Sequence, residues 1–186
     1  MTVNLHMTAF GGLLRKLLTV LCLAGSIGVA HADDAQISEY RVKTAFLYNF
    51  ARFITWPESA LQDRTEFTLC IIGTDPFGVQ LDKLTGKTVH AHTLVVRRIL
   101  NIGDVHDCHL VYISEDADHA EVLSVVRSIP VLTVSDAGNF IDQGGIIQFV
   151  LVHSKVRFKI NVAAASKAGL SVSSKLLSLA TSVSGR

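Results

Sequence analysis

Few stretches of this chain hold residue types that do chemistry, and each can be tested against what the chemistry needs. Gly73-Thr-Asp-Pro-Phe-Gly78 follows an apolar run and has the G-x4-G spacing of a phosphate loop. Such a loop needs Lys and then Ser or Thr to reach the phosphates and a magnesium ion. Val79 and Gln80 stand there instead, and Asp75-Pro76 between glycines is a turn by its own chemistry. No G-x-G-x-x-G is present, which leaves a dinucleotide site unsupported. Ser135-Asp136 after an apolar run offers a nucleophile and an acid, but no G-x-S-x-G elbow surrounds it. Turn and capping roles suit that pair better.

Histidine offers little more. His90 and His92, two apart, would share one face of a strand, where a pair of imidazoles could share a metal. His106 and His109 bracket Cys108, but zinc there would need a fourth ligand and a reduced thiol. With His119 and His153 these read as surface or half-buried side chains. A pH-sensing role stays open. No metal, cofactor or catalytic set is expected, and the reading is that the chain is not an enzyme. What stands out is aromatic: Phe46, Tyr48, Phe50, Phe53 and Trp56 crowd one segment. They serve either core packing or a surface for a partner or ligand, since aromatic side chains dominate interface hot spots.

The elements that must position these residues follow from periodicity. Residues 36–56 are expected as a helix, with Val42, Phe46, Phe50 and Phe53 on one stripe and Tyr40, Leu47, Ala51 and Ile54 on another. A helix apolar on most sides is deeply buried or faces a partner. Pro57 ends it. Phe67–Ile72, Leu110–Ile113 and Pro130–Val134 read as buried strands, and Lys87–His90 and Thr93–Arg98 as strands or extended segments. Helices are expected over Phe77–Leu84 and Ala117–Arg127. This alternation predicts an α/β domain with a mixed, mostly parallel sheet flanked by helices. The C-terminal third adds an antiparallel hairpin, Ile146–Val152 and Val156–Val162, about a three-residue turn, His153-Ser154-Lys155. In its second strand Arg157, Lys159 and Asn161 point away from Val156, Phe158, Ile160 and Val162. Short helices around Ala163–Ala168 and Ser173–Ala180 close the chain, with Gly169 stopping the first and Ser173 or Ser174 capping the second.

Residues 1–32 read as a secretory signal peptide: Arg15 and Lys16, an apolar Leu17–Val29 segment, then Ala30-His31-Ala32 as the cleavage pattern. Cleavage is expected after Ala32, leaving residues 33–186 as one domain in the periplasm. Loss of Arg15 and Lys16 moves the formal charge from +1 to −1. A near-neutral surface argues against nucleic acid as a partner. Cys22 leaves with the leader, so Cys70 and Cys108 remain. Two cysteines in an oxidising compartment suggest one disulfide, with two separate buried thiols as the alternative.

Several segments carry a resemblance. Arg41-Val-Lys-Thr-Ala-Phe-Leu-Tyr-Asn-Phe-Ala-Arg-Phe-Ile-Thr-Trp-Pro57, Phe67–Gly73 with Asp75-Pro-Phe-Gly78, Val131–Asp136, Val156–Asn161 and Gly169–Leu177 together resemble the YfiR-like family. The resemblance spans essentially all of residues 33–186. It implies an α/β domain, periplasmic in Gram-negative bacteria and often dimeric. In the best-understood type, the protein represses an inner-membrane diguanylate cyclase by binding its periplasmic part. An outer-membrane lipoprotein can sequester the repressor, after which cyclic-di-GMP rises and biofilm is favoured. That type depends on disulfide bonding, which Cys70 and Cys108 fit. Its second cysteine pair, in the C-terminal half, is absent here.

The leading expectation is therefore a homodimeric periplasmic repressor that lowers cyclic-di-GMP signalling and biofilm formation by protein binding. Phe46, Phe50, Phe53, Trp56, Arg157 and Lys159 are its candidate partner- or ligand-contact residues. The alternative is a small-molecule-binding module, its pocket lined by the Phe46–Trp56 cluster, feeding another signalling partner.

Overall fold

In a computed structural model, residues 30–185 are described. The expected signal peptide lies outside them except for its last three positions. The compact unit that carries the sheet runs Glu39–Arg186. Helix α1 (Ala30–Phe53) is accordingly taken up from Glu39 onward.

The buried stripe of α1 is Lys43, Leu47 and Phe50, continued by Ile54. Leu47, Ala51 and Ile54 of the second expected stripe are fully buried; of the first, only Phe50 is, while Phe46 and Phe53 are half-buried and Val42 is exposed. The helix stops at Phe53, short of Trp56. Ile54–Thr55 forms β1, which pairs antiparallel with β9 (Ser171–Val172). Pro57 disfavours the helical region for Trp56, and Ile54–Thr55, just before it, pair with β9 instead of continuing the helix.

The main sheet contains β2 (Glu66–Ile72), β3 (Thr88–Val89), β4 (His92–Ile99) and β5 (Leu110–Ile113). It continues with β6 (Leu132–Ser135), β7 (Ile147–Val152), β8 (Lys155–Asn161) and β10 (Ser182–Ser184). The order across the sheet is β10-β8-β7-β6-β5-β2-β4-β3. Strands β4, β2, β5, β6 and β7 run parallel to one another, and β10 runs parallel to β8. The β7–β8 and β3–β4 pairs are antiparallel. The domain is thus the mixed, mostly parallel α/β sheet that the alternation predicts, with its C-terminal hairpin.

Both faces are covered, and β2 shows how. Phe67, Leu69 and Ile71 face α1, in a core that includes Leu47, Phe50, Phe149 and Phe158. Cys70 and Ile72 face the other way, towards Val122, Leu123 and Val126 of α4 (His119–Val126). Burying a side chain such as Phe50 or Leu47 contributes about 1.5–3 kcal/mol. Short helices α2 (Glu58–Leu61), α3 (Val79–Asp82), α5 (Val162–Lys167) and α6 (Ser174–Leu179) complete the layers. A 3-10 turn covers Ile102–Asp107.

Side-chain caps fix the helix starts. Asp118 accepts from Glu121 N at α4, Asn161 from Ala164 N at α5, and Ser173 from Leu176 N at α6. Gly169, at φ 73°, follows α5 in the left-handed region. The hairpin turn has two residues rather than three: Val152 pairs directly with Lys155. His153 and Ser154 take φ of 49° and 58°, the double positive φ that matches the twist of the flanking strands.

Candidate functional site

The Gly73–Gly78 loop is filled by the chain's own carboxylates. Asp116 accepts from Thr74 N at 3.1 Å and from Thr74 Oγ1 at 2.6 Å. Asp75 accepts from Phe77 N at 2.7 Å and Gly78 N at 3.2 Å. The amides that would cradle a phosphate are taken. Thr74's hydroxyl and amide hold the Asp116 carboxyl below its ordinary range, so it is charged near neutrality.

Ser135 is fully buried. Its hydroxyl donates to Ile113 O at 2.6 Å and accepts from Ala137 N at 3.1 Å. His119 Nε2 lies 3.2 Å from the same oxygen. This serine and histidine are adjacent, yet the hydroxyl is spent on backbone at the end of β6 and faces no solvent.

Asp136 closes an ion cluster that the sequence reading missed. Lys43 Nζ lies 2.7 Å from Asp136 Oδ2 and 2.5 Å from Glu39 Oε1. Tyr40 Oη donates to Asp136 Oδ2 at 3.2 Å. The Lys43 side chain keeps only 4% of its exposure. Burial alone would push Asp136 up. The hydrogen bonds from Lys43 and Tyr112, and the Lys43 charge, outweigh it and hold the carboxyl below its ordinary value. Burial likewise works against the Lys43 ammonium, and its bonds to Asp136 and Glu39 outweigh that and raise it. Both partners shift towards the charged form, so this is a true ion pair. A cleft of about 340 Å³ opens beside it, bounded by Glu115 and Leu151. The signal was available: Lys43 stands four residues before Leu47, on the stripe that is buried.

Three of the histidines, His90, His92 and His109, bind backbone. His90 Nε2 lies 2.9 Å from Ile54 O, and His92 Nε2 3.1 Å from Leu61 O. Buried His109 accepts from Thr68 N at 3.0 Å through Nδ1, which leaves Nε2–H to donate to Ala60 O at 3.2 Å. Burial lowers its pKa. Among the described residues, no three His, Cys, Asp or Glu side chains gather as a metal site.

Cys70 and Cys108 are joined by a disulfide with Cα atoms 5.9 Å apart. It ties the middle of β2 to the segment entering β5, inside the second core.

The aromatic candidates divide. Phe50 is fully buried and Trp56 is 4% exposed. Phe50 packs on Phe149 and Phe158, and Trp56 meets Phe67 edge-on at 5.0 Å. Burial removes these two from any contact surface. Trp56 Nε1 has no hydrogen-bond partner among the described residues, but Trp56 lines none of the cavities described. Phe46 and Phe53 are half-buried, with Lys175 Nζ 5.0 Å from the Phe53 ring centroid.

Arg157 and Lys159 lie elsewhere, on the hairpin. Because Val156, Phe158 and Ile160 enter the core, Lys155, Arg157 and Lys159 share the opposite face. Across the ladder stand Val152, Val150 and Gln148. Gln148 is covered, its Oε1 accepting from Ile141 N. Towards the turn the face is open: Val152, Lys155 and Arg157 are exposed, and Val150 and Lys159 half-exposed. Three cations alternate along one strand, and none of them makes an ion pair among the described residues.

Among solved structures, a conserved domain protein from Vibrio cholerae O1 biovar El Tor str. N16961 is similar at 14% identity and a TM-score of 0.47. The match covers 68% of this chain and 57% of that one, so this chain spans little more than half the length of that protein. A likeness of that size says nothing of function. The sequence profile of the YfiR/HmsC-like family (DUF4154) matches residues 40–181, the span from the start of the buried α1 stripe to the entry into β10, and the chain belongs to that family.

Proposed function

We propose that this chain is an exported periplasmic regulator that binds and represses an inner-membrane diguanylate cyclase, lowering cyclic-di-GMP and biofilm formation. Membership of the YfiR/HmsC-like family supports the regulatory class. A disulfide in the core suits an oxidising compartment. No helix among the described residues is long and apolar enough to cross a membrane.

The observation that carries the docking surface is the open hairpin face. Lys155, Arg157 and Lys159 stand beside Val150 and Val152 with no carboxylate of their own. Such a face fits an acidic, partly apolar strip on the cyclase's periplasmic part. Charge would speed the encounter, and the valines would supply buried area. The repressor acts by preferring the inactive arrangement of its partner, which is enough to shift the population. A homodimer matches a dimeric cyclase, and an outer-membrane lipoprotein that competes for the repressor would release it.

The test is cyclic-di-GMP in the native host. Deletion should raise it several-fold, and the wild-type gene should restore it. Arg157→Glu with Lys159→Glu should fail to restore it while melting like the wild type. No rise on deletion, in cells that express the protein, overturns repression. Full restoration by the charge-reversed protein overturns the hairpin as the docking face.

A further inference from the structure

A second cavity lies away from the hairpin turn, at the amino-terminal ends of parallel strands β6 and β7. Its volume is about 360 Å³, and it opens between α4 and α5. Leu123, Val126, Val131 and Ile146 line it, each no more than 4% exposed. Pockets for small molecules run from about 300 to 1,000 Å³, mostly apolar with a few polar groups that fix orientation. This one is at the small end.

Its polar groups are specific. Arg127 and Lys167 stand at the rim, exposed, and make no ion pair among the described residues. Asp142 is the single carboxylate of the lining. Asn161 is engaged at both ends of its amide, accepting from Ala164 N and donating to Ile141 O. Thr133 is not. It is 2% exposed, and its Oγ1 accepts from Ile146 N at 3.0 Å. Among the described residues no acceptor takes its hydroxyl hydrogen. A buried donor without an acceptor costs free energy unless something fills the place. The C-terminal ends of helices favour cations, which accounts for Arg127 and Lys167 being at the ends of α4 and α5. It accounts neither for the room between them nor for the idle hydroxyl.

We propose that this cavity binds a small amphipathic anion, a monocarboxylate of low mass. Its apolar body rests on Val126, Val131 and Ile146. Its carboxylate is met by Arg127 and Lys167, with the Thr133 hydroxyl donating to one of the carboxylate oxygens. The site shares no residue with the hairpin docking face and needs no partner, so it stands or falls apart from the repressor reading.

The experiment is an amide ¹H–¹⁵N titration of residues 33–186, disulfide intact, with sodium hexanoate, hexanol and hexylamine as probes. Hexanoate should give saturable shifts centred on Thr133, Ile146 and Ala164, and hexylamine none. Hexanol and the variant Arg127→Gln/Lys167→Gln should each bind about tenfold more weakly, as expected for the loss of a charge-assisted contact. Ala164→Phe should abolish the shifts by filling the cavity. If that variant fails to fold, the charge variant and the three probes decide the matter. Absence of saturable hexanoate shifts overturns the site. Shifts centred elsewhere overturn it too. Equal binding of hexanol and hexanoate, undiminished in the charge variant, overturns the anion assignment.

Discussion

Replacing Asp136 by Ala should be the most damaging single change outside the apolar core. The Lys43 and Asp136 side chains keep 4% and 15% of their exposure, with Nζ and Oδ2 2.7 Å apart. Removing one partner of a buried pair leaves an uncompensated charge, at a cost of about 3–5 kcal/mol. Here Glu39 still touches the ammonium at 2.5 Å and is 25% exposed. Lys43 Nζ also lies 4.3 Å from the Tyr40 ring centroid. The lower end applies, about 3 kcal/mol, or a fall in Tm of roughly 6–12 °C for a domain of this size. Lys43→Met should cost about 2 kcal/mol, because Asp136 keeps the Tyr40 hydroxyl. The double variant Lys43→Met/Asp136→Leu should return to within about 1 kcal/mol of wild type, since no buried charge is left unpaired. Urea unfolding of residues 33–186 measures all three. The folded Asp136 pKa is depressed, so its contribution is present above the ordinary carboxylate value and lost as pH falls through the folded value. The gap between wild type and Asp136→Ala should therefore close below about pH 4. A single variant costing under about 1 kcal/mol, or a double variant as unstable as the two singles combined, would refute this reasoning.

Three further outcomes are expected. Cys70→Ser/Cys108→Ser opens a loop with a sequence separation of 38 and should cost about 4 kcal/mol in the chain-entropy picture. It should also lose repression in the cell; a wild-type Tm together with full repression would contradict both. His109 is held neutral by burial, its pKa lowered. Unfolded histidine takes a proton as pH falls through about 6.5 while the folded ring resists, so stability falls from pH 7 towards 5. His109→Gln should flatten that slope, and an identical slope in urea midpoints would count against it. The hairpin turn places His153 and Ser154 at positive φ, so His153→Asn/Ser154→Gly should stabilise by about 0.5–1 kcal/mol in thermal melts.

Periodicity read the parallel core well because those strands are buried on both sides. Phe67–Ile72 and Leu110–Ile113 are continuous apolar runs, and burial on both faces is what such runs signify. The elements that were missed are short or polar. β1 and β9 have two residues each and exist only because the chain is already folded around them. β10 is a serine-rich tail held by parallel pairing to β8. The hairpin turn was read one residue too long because neither His153 nor Ser154 is the glycine or asparagine that announces positive φ. The candidate site was half legible. Aromatic residues marked α1 as important but not its exposed face, since Phe50 and Trp56 earn their place by packing inward. Arg157 and Lys159 were placed correctly on the polar side of β8 by the period of two. Lys43 was passed over because the stripes were drawn from apolar residues alone, and a buried lysine is invisible to such a pattern until its partner Asp136, distant in sequence, is placed beside it.

Topology adds a reason to look for function outside the crevice that open parallel sheets usually use. Ligands of open parallel sheets usually sit over the carboxyl ends of strands where the chain reverses direction across the sheet. Here β2 leads to β4 on one side, and the chain then returns to β5 on the other, so that crevice lies over the ends of β2 and β5. It is closed. Asp116, arriving from β5, takes the Thr74 amide and hydroxyl, while the Ser114 hydroxyl donates to Thr74 O. A Cβ at Gly73 would stand 2.8 Å from Asp116 Oδ1 and 3.0 Å from Ser114 Cβ, so the glycine allows the two loops to meet. An incoming phosphate would have to displace a carboxylate of its own sign, one its hydrogen bonds keep ionised. The crevice at the ends of β2 and β5 is thus filled from within, whereas the cleft beside Asp136 and the opening between α4 and α5 at the opposite ends of the strands remain open.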